Sequence, residues 1–71
     1  EMAAVAVERL DGLWRVKRVY RTGHTSYSIP FATQAQAQAN TRDCEDHRVY
    51  IVPATEGHND GDEEALKRMR R

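Results

Sequence analysis

Apolar and polar positions alternate along much of the first half of the chain, and a period of two is typical of β-strands. The pattern predicts strands at residues 4–10, 13–21 and 25–31, with a fourth at 48–52. The pair Asp11-Gly12 lies between the first two, and Asp-Gly is a strong hairpin signal because a type I′ turn needs positive φ at both central positions. The chain is therefore predicted to open as a β-meander.

The period changes after Phe31, where small and polar residues replace the β-branched and aromatic ones. Thr33 and Gln36 have the spacing of a capping box, a signature of a helix N-terminus. The following residues are mostly Ala and Gln, which are good helix formers. We predict a helix from residue 34 to about residue 44.

These elements predict an α+β fold in the order β-β-β-α-β, with one helix packed on one face of a three- to four-stranded antiparallel sheet. We expect Trp14 and Tyr27 to be largely buried. From residue 55 onward Gly, Asn and Asp cluster without apolar periodicity. We therefore predict a domain at residues 3–54 and a flexible, disordered acidic and basic tail at residues 55–71, helical near residues 63–70 only when bound.

The chain has 71 residues and one cysteine. An enclosed active site in so short a chain would compete with the core for the few apolar residues, so we expect a binding module and not an enzyme. Cys44 alone cannot form an intrachain disulfide, which suits a reducing cytoplasmic compartment. The longest apolar run, Met2 to Val7, is too short to span a membrane.

Few side chains have the spacing that catalysis or metal binding needs. Cys44 and His47 are spaced like half a metal site, but no second closely spaced pair completes it. A cysteine nucleophile would need a cleft and an orienting third group, which nothing in the sequence suggests. A solvated turn is expected to hold the carboxylates of Asp43, Glu45 and Asp46. We predict no catalytic residue, no metal and no cofactor.

The basic residues of the second strand are the main candidate for function. Strand residues two apart share a face, so the side chains of Arg15, Lys17 and Arg21 project together. The opposite face carries Trp14 and Tyr20. Such a stripe can follow a phosphate backbone or meet an acidic protein groove, while an ordinary solvated strand face is the alternative. The predicted partner-binding residues are Arg15, Lys17, Arg21, Arg48 and Tyr50.

The charges are segregated although the net charge is zero. Residues 43–64 contain eight acidic side chains and one basic one, and the last seven residues contain four basic ones. Overall neutrality argues against a dedicated nucleic-acid binder. A surface divided by charge suits a protein partner that presents both signs.

The run from Trp14 to Pro53 resembles in plan the small phage-encoded inhibitors of bacterial RNA polymerase. Those proteins place a tryptophan-containing strand before a hairpin, then a strand ending near a Pro-aromatic pair, a capped helix and a last strand. The matching segments here are Trp14-Arg15-Val16, residues 24–31, Ala32-Thr33 and residues 49–53.

The best-known coliphage inhibitor looks acidic along its contact surface, whereas the strand here is basic, so no functional residue is carried over. The resemblance implies a cytoplasmic regulator, monomeric when free, that binds host RNA polymerase and inhibits or modifies transcription. The alternative is a nucleic-acid-binding module that uses the basic strand at residues 15–21.

Overall fold

The computed structural model describes residues 6–42 and 44–69. In these ranges a three-stranded antiparallel sheet combines with three helices, so the fold is α+β. In chain order the elements are α1 (Val7–Leu10), β1 (Trp14–Tyr20), β2 (Thr25–Tyr27), α2 (Gln34–Ala39), β3 (His47–Pro53) and α3 (Asp62–Met69). None of the helices in this part of the chain is long and apolar enough to cross a membrane.

The sheet has the strand order β2-β1-β3, with β1 in the centre and antiparallel pairing on both sides. Lys17 of β1 is opposite Tyr27 on one side and Tyr50 on the other. Val19 is opposite Arg48. Directly opposed residues of an antiparallel pair point to the same face, so this register decides which side chains of the three strands are neighbours.

The predicted first strand at residues 4–10 is wrong over its described part. Residues 7–10 form the short helix α1, and residues 4 and 5 lie outside the described ranges. A hairpin with this segment would need a free edge of β1, but β2 and β3 occupy both edges. Leu10 instead packs with Ala54 and Leu66 in a buried apolar cluster.

The other strands lie near their predicted positions. The predicted strand at residues 13–21 corresponds to β1, and the one at 48–52 corresponds to β3 with one more residue at each end. The predicted strand at 25–31 is shorter, because regular pairing stops after Tyr27 and resumes only as a single bridge between Phe31 and Trp14. Trp14 and Tyr27 are partly buried, which is less than we expected.

The capping box predicted for α2 is present. The backbone N–H of Gln36 donates to Oγ1 of Thr33 at 3.1 Å, and Oε1 of Gln36 accepts from the N–H of Ala32 at 3.1 Å. The helix ends at Ala39 and not near residue 44. The Asn40 side chain donates to the carbonyl of Gln36, and a polar side chain that bonds a terminal carbonyl favours the end of a helix.

The C-terminal segment contains a helix whose first residue, Asp62, contacts Arg15 of β1, so residues 62–69 differ from the predicted disordered tail. Helix α3 begins at Asp62, and Asp62, Ala65 and Leu66 are buried. One local signal of this helix is its charge pattern, because acidic residues fill the first turn and basic ones fill the last. The division into a domain at 3–54 and a tail at 55–71 stays a prediction.

Candidate partner-binding face

The predicted partner-binding residues of β1 and β3 lie on one face of the sheet. The register places Lys17 beside Tyr50, and Arg15 is opposite Val52. Arg21 follows the last residue of β1 and lines a cavity of about 390 Å³ together with Arg48. We call this side of the sheet, together with Arg21 at its end, the basic face: Arg15, Lys17, Val19, Arg21, Arg48 and Tyr50.

Arg15 is not available to a partner, because its side chain is 0% exposed. Its Nε and Nη2 donate to the carbonyl of Ala54 at 3.0 and 2.7 Å, and Nη1 donates to the carbonyl of Ser28 at 2.9 Å. Nη1 and Nη2 also donate to Oδ1 and Oδ2 of Asp62 at 3.0 and 3.2 Å. All five N–H groups of the guanidinium thus have acceptors. The prediction that Arg15 projects into solvent is wrong.

The physical reason for this error lies in α3. Sequence alternation correctly placed Arg15 and Trp14 on opposite faces, but it could not show that Asp62 of α3 pairs with Arg15. Asp62 is the first residue of α3, where a carboxylate is favoured by the helix dipole. Its Oδ2 also accepts from the backbone N–H of Asn59 at 3.3 Å. A buried arginine is therefore matched by a carboxylate that the helix start holds in place.

Lys17 is bound within the protein as well. Its Nζ lies 3.0 Å from Oε2 of Glu56, and the hydroxyl of Tyr27 donates to the same oxygen at 3.3 Å. The hydrogen bond and charge of Glu56 raise the pKa of Lys17, and the hydrogen bond from Lys17 lowers the pKa of Glu56. The carboxylate is thus held between an ammonium group and a phenol.

An acidic segment covers part of the basic face. Arg15 and Lys17 pair with Asp62 and Glu56, and an exposed pair at 3.1 Å joins Arg9 of α1 to Glu63 of α3. These three contacts all connect basic residues of the N-terminal part to the segment at 56–63. The acidic segment therefore already occupies one half of the face.

The other half of the basic face is open. Arg21 and Arg48 are exposed, and neither forms an ion pair with an acid of residues 6–42 or 44–69. Tyr50 is 46% exposed, which is high for a large aromatic side chain. We call Arg21, Arg48 and Tyr50 the exposed basic patch. It can present two guanidinium forks and one aromatic ring to a partner.

A second group of polar side chains lies at the turn that leads into β3. The ligating atoms of Cys44, Asp46 and His47 all lie within 4.8 Å of one another. The sequence suggested half of this group through the spacing of Cys44 and His47, but it did not show that Asp46 joins them. Glu45 is exposed as expected, and Asp43 lies outside the described residues.

Comparisons with known proteins return no relative. No family model matches the chain, and no curated protein or solved structure matches it. The functional interpretation therefore rests on the residues of the face and turn just described.

Proposed function

We propose that the protein is a small non-enzymatic binding module that holds an acidic partner surface with the exposed basic patch. The observation that carries this proposal is the contrast between the two halves of the basic face. Arg15 and Lys17 are matched by acidic residues of the same chain, whereas Arg21 and Arg48 are exposed and lack such partners among the described residues. Tyr50 adds exposed aromatic area beside them.

The internal contacts indicate the chemistry that this face accepts. Lys17 and Tyr27 together hold one carboxylate oxygen of Glu56. Arg48 and Tyr50 offer a similar combination of cation and phenol, and an arginine fork can bind a carboxylate through two parallel hydrogen bonds. Net neutrality of the chain favours a protein partner over a nucleic acid, because it lacks the basic excess of dedicated nucleic-acid binders.

The partner that we propose is bacterial RNA polymerase, with the protein acting as a transcription regulator in the bacterial cytoplasm. The support is the resemblance in plan between residues 14–53 and small phage inhibitors of that enzyme. We further propose that α2 covers the face opposite the basic one. Val16 of β1 and Ala37 of α2 are both fully buried, which supports that arrangement. The protein would act by occupying a polymerase surface, without chemistry.

The second candidate function is nucleic-acid binding, and Tyr50 is the observation that favours it. An exposed ring beside two arginines can stack a base while the guanidinium groups contact phosphates. Such binding would fall steeply with salt concentration, because phosphate contacts release counterions.

The test measures binding of the purified protein to purified bacterial RNA polymerase at low and at physiological salt. The variant Arg21→Glu with Arg48→Glu should weaken binding by about ten-fold or more, chiefly through slower association. The matched control, Lys67→Glu with Arg68→Glu, makes the same change in net charge at exposed positions of α3. It should change the affinity by no more than about two-fold.

Two results would reject the polymerase proposal: no binding of the parent protein at low salt, or an equal loss of affinity in both charge-reversed variants. Binding to single-stranded DNA or RNA with a steep salt dependence, lost in the Tyr50→Ala variant, would favour the second candidate instead. Circular dichroism of each variant checks that the fold is retained.

A further inference from the structure

The turn before β3 gathers three side chains that are ligands of the same kind of metal ion. The thiol of Cys44, the carboxylate of Asp46 and the imidazole of His47 have ligating atoms within 4.8 Å of one another. Sulfur, nitrogen and carboxylate oxygen are the donors that Zn²⁺ takes in proteins, commonly as three protein ligands with a fourth position open. We propose that Cys44, Asp46 and His47 form a binding site for Zn²⁺ or a similar divalent transition-metal ion.

The backbone holds these residues in a defined arrangement. Cys44 and His47 pair as an antiparallel bridge, so that Glu45 and Asp46 occupy the two turn positions between them. The N–H of Arg21 donates to the carbonyl of Asp46 at 3.1 Å, which fastens the turn to the end of β1. The folded turn therefore holds the three ligand atoms within 4.8 Å of one another.

The side chains of His47 and Cys44 lie close to the Asp46 carboxylate. Nδ1 of His47 lies 2.9 Å from Oδ1 of Asp46. The thiol sulfur of Cys44 and a carboxylate oxygen of Asp46 lie within 4.8 Å of each other. The Asp46 carboxylate therefore offers a negatively charged oxygen close to both other ligand atoms. A divalent cation would replace the hydrogen bond between Asp46 and His47, and the thiol would release its proton to solvent as it becomes a thiolate ligand.

Burial of His47 orients the ring. Its side chain is 11% exposed, and the ring of Tyr20 lies beside it at a centroid distance of 4.9 Å. Nε2 is buried and has no hydrogen-bond partner among the described residues. The Nδ1 edge is therefore the one that meets Asp46, which is where an ion would bind.

The same feature limits the affinity. When a neutral imidazole binds an ion through Nδ1, its proton moves to Nε2, and Nε2 of His47 has no hydrogen-bond acceptor among the described residues. An unsatisfied buried donor of this kind should weaken binding by roughly ten- to hundred-fold. We therefore expect a dissociation constant in about the micromolar range, weaker than that of structural zinc sites.

The experiment titrates the reduced 71-residue protein with Co²⁺ and then displaces the cobalt with Zn²⁺. We expect one ion per chain, a thiolate-to-cobalt charge-transfer band in the near ultraviolet, and release of about one proton for each ion bound. Cys44→Ser should abolish the band and weaken Zn²⁺ binding by about ten-fold or more. Asp46→Asn should weaken Zn²⁺ binding by a similar factor. Cys44 is exposed, so the serine variant is expected to fold.

The matched control is His58→Gln, which removes an exposed histidine from the loop after β3. It should leave both the band and the Zn²⁺ affinity unchanged. The proposal is overturned if the parent protein shows no charge-transfer band, or if Cys44→Ser binds Zn²⁺ as tightly as the parent. It is equally overturned if His58→Gln weakens binding as much as Cys44→Ser does. None of these outcomes depends on whether the protein binds polymerase.

Discussion

The buried ion pair between Arg15 and Asp62 is the contact that joins β1 to the C-terminal helix, and its removal should destabilise the whole fold. In Asp62→Ala the guanidinium, which is 0% exposed, keeps its three hydrogen bonds to the carbonyls of Ser28 and Ala54 and loses the two to the carboxylate. The positive charge then remains in the interior without a counter-charge, which is the costly situation for a buried ion.

The expected magnitude follows from this geometry. Breaking a buried pair by removing one partner costs about 3–5 kcal/mol. A chain of this length has a total free energy of unfolding of about 4–11 kcal/mol. The substitution should therefore remove a large fraction of the stability. It should also release α3, because a helix of 8 residues has little stability by itself.

The assay is urea unfolding followed by the fluorescence of Trp14, the only tryptophan of the chain and the residue next to Arg15. The matched control is Glu63→Ala, which removes the neighbouring acid of α3 and its exposed pair with Arg9. That change should cost no more than about 1 kcal/mol. Asp62→Asn should lie between the two, because the amide oxygen still accepts one hydrogen bond but carries no charge.

A further variant separates the missing counter-charge from the loss of packing. Replacing both partners, as Arg15→Met with Asp62→Leu, should be less destabilising than Asp62→Ala, because no unpaired charge remains buried. The reasoning is refuted if Asp62→Ala lies within about 1 kcal/mol of the parent or of Glu63→Ala. If Asp62→Ala is unfolded in buffer, the order of Asp62→Asn, the double variant and Glu63→Ala carries the test.

The remaining predictions concern the loop after β3. Gly57→Ala should be strongly destabilising in urea unfolding, because φ is 83° and a Cβ would lie 2.4 Å from ring carbons of Tyr27. The control Gly12→Ala, where φ is 82° and the space around the Cβ is open, should lower the free energy of unfolding by only about 1–2 kcal/mol. In an NMR titration the carboxyl of Glu56 should have a pKa below 4.5, and Lys17→Ala should return the pKa toward that value. Because the pKa of Glu56 is depressed in the folded state, its pair with Lys17 stabilises the fold above pH 4.5, and this stabilisation is lost as the pH falls through the folded-state pKa. The same pH dependence of the urea midpoint in the parent and in Lys17→Ala would contradict this.

Local patterns in the sequence were enough to locate the elements whose signals are themselves local. The period of two in β1 and β3 follows from the alternation of side chains along any strand, so both strands lie near their predicted bounds. The start of α2 was equally readable, because Thr33 and Gln36 make a cap within one turn. Alternation along β1 also placed Lys17 on a face apart from Trp14.

Only the tertiary structure decided what covers that face. The carboxylate that pairs with the buried Arg15 belongs to Asp62, 47 residues further along the chain, and no local sequence pattern indicates so distant a partner. Without knowledge of that partner, a basic residue in an alternating strand is predicted to be exposed. The strand order likewise decided that residues 7–10 form no hairpin with β1, because β2 and β3 occupy both of its edges. Local propensity determines where strands and caps form, whereas burial and ion pairing depend on which segments meet in space.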